Sequence, residues 1–146
     1  MDVLRRNTDY ALRAMINLAK HHRKQSVSTR QMAEQEGISY QLACKLMQKL
    51  HNADLVESCM GPKGGFQLSK KPSKISLLQI VGAIQGPINL NRCLLSADAC
   101  PLRPKCAVSK KLTGLQNYID SFLGSITLEE LSHNKQAVRK SKGRRK

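Results

Sequence analysis

Apolar and polar positions alternate along this chain with helical spacing from the start. Tyr10, Ala11, Ala14, Met15, Leu18 and Ala19 recur on one face, with Asp9, Arg13, Asn17 and Lys20 on the other, which predicts a helix over 8–22. Ser28 followed by Gln31 has the form of a capping box and opens a second helix through about Glu36, where Gly37 stops it. A third helix is predicted over roughly 40–52. Its apolar stripe is Leu42, Ala43, Leu46, Met47 and Leu50, and its polar stripe is Gln41, Cys44, Lys45 and Gln48. Two short helices joined by a tight glycine turn have the sequence form of a helix-turn-helix.

Strand character follows in Leu55–Met60, then the tip Gly61-Pro62-Lys63-Gly64-Gly65, then Phe66-Gln67-Leu68. This reads as a hairpin with a narrow, lysine-bearing tip able to approach a sugar–phosphate ridge. A helix-turn-helix followed by such a hairpin is a winged helix. A further helix is predicted over 76–86, after which periodicity disappears. Residues 87–106 contain three prolines and three cysteines, Cys93, Cys100 and Cys106. A structureless stretch of this length needs something to organise it, and a metal centre would do so. Past it, Val108, Leu112, Leu115, Ile119, Phe122 and Ile126 follow heptad spacing, which predicts a long helix that either packs on its own domain or, the favoured reading, pairs with a second copy of the chain. Thr127 with Glu130 restarts a short helix. The expected fold is mainly α with a small β wing. It comprises a winged helix-turn-helix domain over 1–86, a cysteine loop over 87–106, and a dimerisation helix with a short terminal helix over 107–133. A basic tail over 134–146 is expected to be disordered.

Composition narrows the partner. The formal charge is +15 in 146 residues, aromatics are 3% and tryptophan is absent. Such charge points to a polyanion, and nucleic acid is the usual one. Base-stacking platforms are disfavoured for want of aromatics. Residues 135–146 alone carry seven Lys or Arg and no acid, so the net charge overstates how basic the folded part is. The tail would add salt-sensitive, non-specific affinity for DNA. No apolar run approaches ~20 residues, so no membrane span is expected. The charged start lacks the apolar core of a signal peptide, which makes a cytoplasmic protein with reduced cysteines the expectation. No nucleophile–base pair, phosphate loop or paired carboxylates appear, so no enzymatic activity is expected.

The polar stripe of the third helix suits a DNA groove, with Gln41 reading adenine edges and Lys45 guanine or phosphate. Cys44 within it is read as structural or tolerated, and Cys59 as a small buried residue. For Cys93, Cys100 and Cys106 three readings stand. Zinc sites favour a short Cys-x-x-Cys knuckle, which is absent. An iron–sulfur cluster tolerates wider spacing, and Arg92, Arg103, Lys105, Lys110 and Lys111 would offset its charge. The third reading is no metal at all.

TDYALRAM at 8–15, GIS at 37–39, LVES at 55–58, GPKGGFQLSK at 61–70, ISLLQIVGAIQGP at 75–87, the spaced cysteines and ITLEEL at 126–131 occur in an ordered series. The combined pattern resembles the Rrf-type winged-helix regulators, which include iron–sulfur repressors of the IscR and NsrR kind. That resemblance implies a homodimer on double-stranded operator DNA, with the third helix in the major groove and the wing in the minor groove. It also implies a cluster, 4Fe-4S or 2Fe-2S, held by Cys93, Cys100 and Cys106. Where IscR-like members place a histidine, this chain has Ser109. The nitric-oxide sensors instead take an aspartate from the partner's first helix, and Asp9 falls at that position. Without the resemblance, Asp9 reads as the partner of Arg13 in an i,i+4 ion pair. The expected DNA-contacting set is Ser28, Arg30, Ser39, Tyr40, Gln41, Cys44, Lys45, Gln48, Gly61, Lys63 and Gly64. The expected function is a repressor sensing nitric oxide, redox state or iron–sulfur supply. A thiol-based regulator without a cluster and a zinc-stabilised nucleic-acid-binding protein are the alternatives, and an electron-transfer ferredoxin is weaker.

Overall fold

A computed structural model describes residues 2–22 and 24–133. Six α-helices and one hairpin are found among these residues: α1 (Arg6–Lys20), α2 (Thr29–Glu36), α3 (Tyr40–Asn52), β1 (Val56–Cys59), β2 (Gly65–Leu68), α4 (Leu77–Gln85), α5 (Ala107–Ser125) and α6 (Leu128–His133). The expected mainly helical fold with a small β wing is the one observed. The predicted basic tail falls outside the described residues. None of the helices among the described residues is long and apolar enough to cross a membrane.

Local chemistry sets the helix ends. Ser28 and Ser76 each accept from the backbone N–H three residues on, and Gln31 and Gln79 reach back to the cap N–H, so both are complete capping boxes. Such caps are each worth about 1 kcal/mol. At the other end of α2, Gly37 takes a left-handed conformation (φ 65°) and turns the chain into α3. Thr127 accepts from the N–H of Glu130 and starts α6, as its spacing predicted.

The core is one cluster fed by nearly every element. Ala11, Met15 and Leu18 of α1 meet Leu46, Met47 and Leu50 of α3 and Ile80 and Ile84 of α4. Leu128 of α6 is fully buried in the same cluster. The segment around it is stitched to the start of α4: Leu77 donates to Ile126 O at 2.9 Å and Leu128 to Ile75 O at 2.8 Å. The hairpin is antiparallel, with Val56 opposite Leu68 and Cys59 opposite Gly65. A third segment joins it, because Val27 and Phe66 exchange both backbone hydrogen bonds, at 2.9 and 2.8 Å. Gly65 allows this approach; a Cβ there would collide with the Val27 carbonyl.

The helix over 107–125 does not use its apolar positions as one seam. α5 packs along α4, and Leu112 and Ile119 are half-buried. Val108 (63% exposed), Leu115 and Phe122 stand in solvent, as does Tyr118, whose ring stacks on Phe122 at 6.3 Å. Ile126 is already past the helix end. The stripe read as one face therefore divides, because a 19-residue helix lying on its own domain spends half its apolar surface there.

Candidate nucleic-acid interface and cysteine loop

The candidate nucleic-acid surface is built on α2, α3 and the hairpin tip. The core side of α3 (Ala43, Leu46, Met47, Leu50) is buried, which leaves Gln41, Lys45 and Gln48 exposed along the opposite side, with Cys44 half-buried beside them. Gln48 donates to Asn52 at 3.0 Å, one turn on. Ser39 caps α3 by accepting from Leu42 N–H at 3.1 Å, so this predicted DNA contact already has a structural task, as has Ser28. Arg30 of α2 and Tyr40 of α3 join the two helices: the guanidinium lies 5.4 Å from the ring centroid, within cation–π range. A hydrogen bond with the Cys44 side chain raises the Tyr40 hydroxyl above its ordinary pKa of 10.0, with Arg30 acting in the opposite sense. Tyr40 is thus a neutral phenol at physiological pH. At the wing tip, Gly64 N–H donates to Gly61 O at 2.9 Å, closing a turn that leaves Gly61 and Lys63 exposed.

The cysteine loop is differently made. Cys93 lies in a short 3-10 turn (Arg92–Leu94), and a second such turn (Arg103–Lys105) separates Cys100 from Cys106. All three thiols are free and half-buried. The Cys106 sulfur caps α5, accepting from Ser109 N–H at 3.4 Å. Local bonds shape the rest: Arg103 donates to Ser96 O at 2.6 Å, and Asn91 caps the first turn. Three unpaired thiols in basic surroundings fit a thiolate-held iron–sulfur cluster by donor chemistry. Among the described residues, however, no three Cys, His, Asp or Glu side chains are brought together tightly enough to hold a metal ion. The loop places the donors in one region without closing them around a point.

Asp9 is exposed on the first turn of α1 and makes no side-chain hydrogen bond or ion pair among the described residues. The Asp9–Arg13 pair expected as its ordinary role does not form. Arg13 turns to α2, pairing with Glu36 at 3.7 Å and donating to its carbonyl at 3.2 Å, where it also lies over the Tyr10 ring. A carboxylate one helix away outcompeted the one on its own helix.

One junction was not visible in the residue pattern. The Gln85 side chain accepts from Thr8 Oγ1 at 2.7 Å and Arg5 N–H at 3.0 Å and donates to Val3 O at 3.1 Å. It thereby satisfies the fully buried Thr8 hydroxyl. Next to it, Lys49 of α3 donates to Ile84 O at 3.2 Å. Two residues beyond Gly86, Gln116 of α5 donates to Ile88 O at 2.6 Å and accepts from Leu90 N–H at 3.1 Å. The end of α4, just before the cysteine loop, is thus tied to α1 and α3, and the start of the loop to α5. Nothing but these partners marks Gln85 and Gln116, which read as ordinary helix-surface glutamines. Tyr118 did carry a signal, since Leu115, Tyr118 and Phe122 are themselves spaced 3 and 4 apart.

Residues 4–134 match the Rrf2 family, described as an iron-dependent transcriptional regulator. IscR, an HTH-type transcriptional regulator, is 33% identical over 129 residues in Vibrio atlanticus, covering 88% of this chain and 74% of the relative. The IscR of Xenorhabdus nematophila is 31% identical, covering 88% and 78%. Among solved structures, CymR, the global cysteine regulator of B. subtilis, superposes with a TM-score of 0.72 at 27% identity, covering 90% of this chain and 97% of that one.

Proposed function

Because the chain belongs to the Rrf2 family of transcriptional regulators, we propose that it is a homodimeric, sequence-specific repressor whose DNA affinity depends on an iron–sulfur cluster. DNA-binding regulation is a non-enzymatic task, in keeping with a sequence that carries no catalytic constellation. The observation that carries the cluster reading is the loop itself: three free, half-buried thiols in a stretch with no core of its own, beside basic residues and between the reading head and an exposed apolar helix face. Cys93, Cys100 and Cys106 would hold the cluster, 4Fe-4S or 2Fe-2S, with Asp9 of a second copy as the fourth donor. When bound, such a cluster supplies iron and sulfide that nitric oxide, oxidants or iron–sulfur supply can alter.

The protein's own residues do the rest. Gln41 and Lys45 read base edges, while Tyr40, Cys44 and Gln48 flank them in the groove. Ser28, Arg30 and Ser39 hold the backbone, and Gly61, Lys63 and Gly64 bring the wing against it. Lys49 and Gln85 tie the end of α4, just before the loop, to α3 and α1, and Gln116 ties the start of the loop to α5. A loop ordered by ligation therefore acts on α1 and α3 through the end of α4, which precedes it in the chain and is bonded to both. Residues 1–86 serve as the DNA-binding domain, 87–106 as the sensor loop and 107–133 as the dimerisation element. The second copy covers Val108, Leu115, Tyr118 and Phe122, and the protein works in the cytoplasm.

A thiol-based regulator without a cluster is the second reading. The likeness to CymR, a cysteine regulator by its printed description, favours it.

Selection of duplexes from a randomised pool tests the reading surface. The wild type should enrich one operator, and Gln41→Ala and Lys45→Ala should each lose about 1–3 kcal/mol of preference for it over random DNA. An equal loss on every sequence would make these residues phosphate contacts and contradict base reading.

A further inference from the structure

The linker between α1 and α2 carries a feature that the groove-reading stripe does not use. Lys24, Ser26, Ser28 and Gln31 face Lys63 and Gly64 of the wing tip across a cleft of about 580 Å³. Its walls are held in place by backbone. Ser26 Oγ donates to the Lys63 carbonyl at 2.6 Å, and the paired bonds of Val27 and Phe66 lock the linker to β2. The capping box of Ser28 and Gln31 fixes the first turn of α2. Linker and wing tip are therefore one unit.

The lining is selective by charge. Both lysines are exposed, neither has a side-chain partner among the described residues, and no carboxylate lines the cleft. Two ammonium groups, with the Ser28 hydroxyl also lining the cleft, attract an anion and repel a cation. The location says which anion. On the other flank of the same α2 turn, Arg30 stacks on Tyr40 at the start of α3. The cleft thus adjoins the surface that meets DNA, between its two DNA-contacting parts.

We infer that this cleft seats a backbone phosphate of the bound DNA, with Lys24 and Lys63 as its cations. The inference rests on the proposed reading surface and adds to it a contact outside the groove. Phosphate contacts fix register and orientation and carry no base information. The seat sets how α3 lies in the groove and not which bases it prefers.

The test measures affinity of the full chain for a random-sequence duplex and for the duplex enriched by selection, by fluorescence anisotropy over a salt series. Lys24→Ala should weaken both duplexes equally, by about five- to tenfold near ~0.1 M salt, and should flatten the slope of log affinity against log salt by about one. Lys24→Arg should keep the slope. Lys24→Gln, which preserves the length of the side chain, should reproduce the alanine result, and matching thermal melts exclude unfolding as its cause. Unchanged affinity and slope on random DNA would overturn the seat even if the wild type selects an operator. A loss confined to the selected duplex would overturn it too, since that is base reading. Failure to enrich any sequence would overturn the reading surface, while the random-duplex slope would still decide the seat.

Discussion

The reading head and the cysteine loop are neighbours made on opposite principles. Between Arg6 and Leu68, each helix buries an apolar side, and Met15, Met32, Met47 and Leu50 are shut off from solvent. Between Asn89 and Val108 no residue is buried. The head is assembled from its own sequence, because hydrophobic burial supplies a driving force without any outside partner. The loop is held by a few hydrogen bonds of its own and by Gln116 at its first residues, and those are few to organise twenty residues against chain entropy. It needs closure from beyond itself, which is what a ligand held by its thiols would give. The buried packing thus sits beneath the proposed reading surface, and the segment without a core is the one proposed to hold a ligand.

Substitutions can break this contrast at different strengths. The largest effect belongs to the head: Leu50→Ala should cost about 2–5 kcal/mol in urea unfolding, through lost burial and a cavity. Phe122→Glu acts outside both regions. It should leave the fold unchanged and cost about 2 kcal/mol or more in self-association, read by sedimentation, if a second copy covers α5. Gln85→Ala cuts the bonds that hold the end of α4, next to the loop, to the start of α1. It should cost about 1–3 kcal/mol, because the buried Thr8 hydroxyl loses its partner. Smallest is Cys106→Ser, which should move the stability of the metal-free protein by no more than about 0.5 kcal/mol. A large destabilisation by Cys106→Ser would mean that the loop supports the fold by itself, and the contrast would fail.

What the sequence revealed and concealed follows the range of the interactions. The capping box at Ser28, the start of α6 at Thr127, the stop at Gly37 and the buried side of α3 were legible because each depends on residues within a few positions. The seam from Val108 to Ile126 was legible as a helix but not in its allegiance. Heptad spacing says that a stripe needs cover; it does not say that Leu112 and Ile119 take theirs from the same chain while Leu115 and Phe122 do not. Gln85 bonding Thr8 across 77 residues leaves no trace in either local pattern. The exchange of Arg13 from Asp9 to Glu36 was hidden for the same reason, since an i,i+4 rule cannot see a carboxylate on a neighbouring helix. In the loop, the residue types suggested metal donors, and among the described residues no three of them lie close enough to hold a metal ion.

Whether an iron–sulfur cluster orders the loop is decided by anaerobic purification with visible spectroscopy and iron and sulfide counting. A protein holding such a cluster is brown, absorbs in the visible, contains iron and sulfide in comparable amounts, and loses that absorption in Cys93→Ser, Cys100→Ser and Cys106→Ser. A colourless protein, metal-free or holding stoichiometric zinc, would contradict the cluster reading.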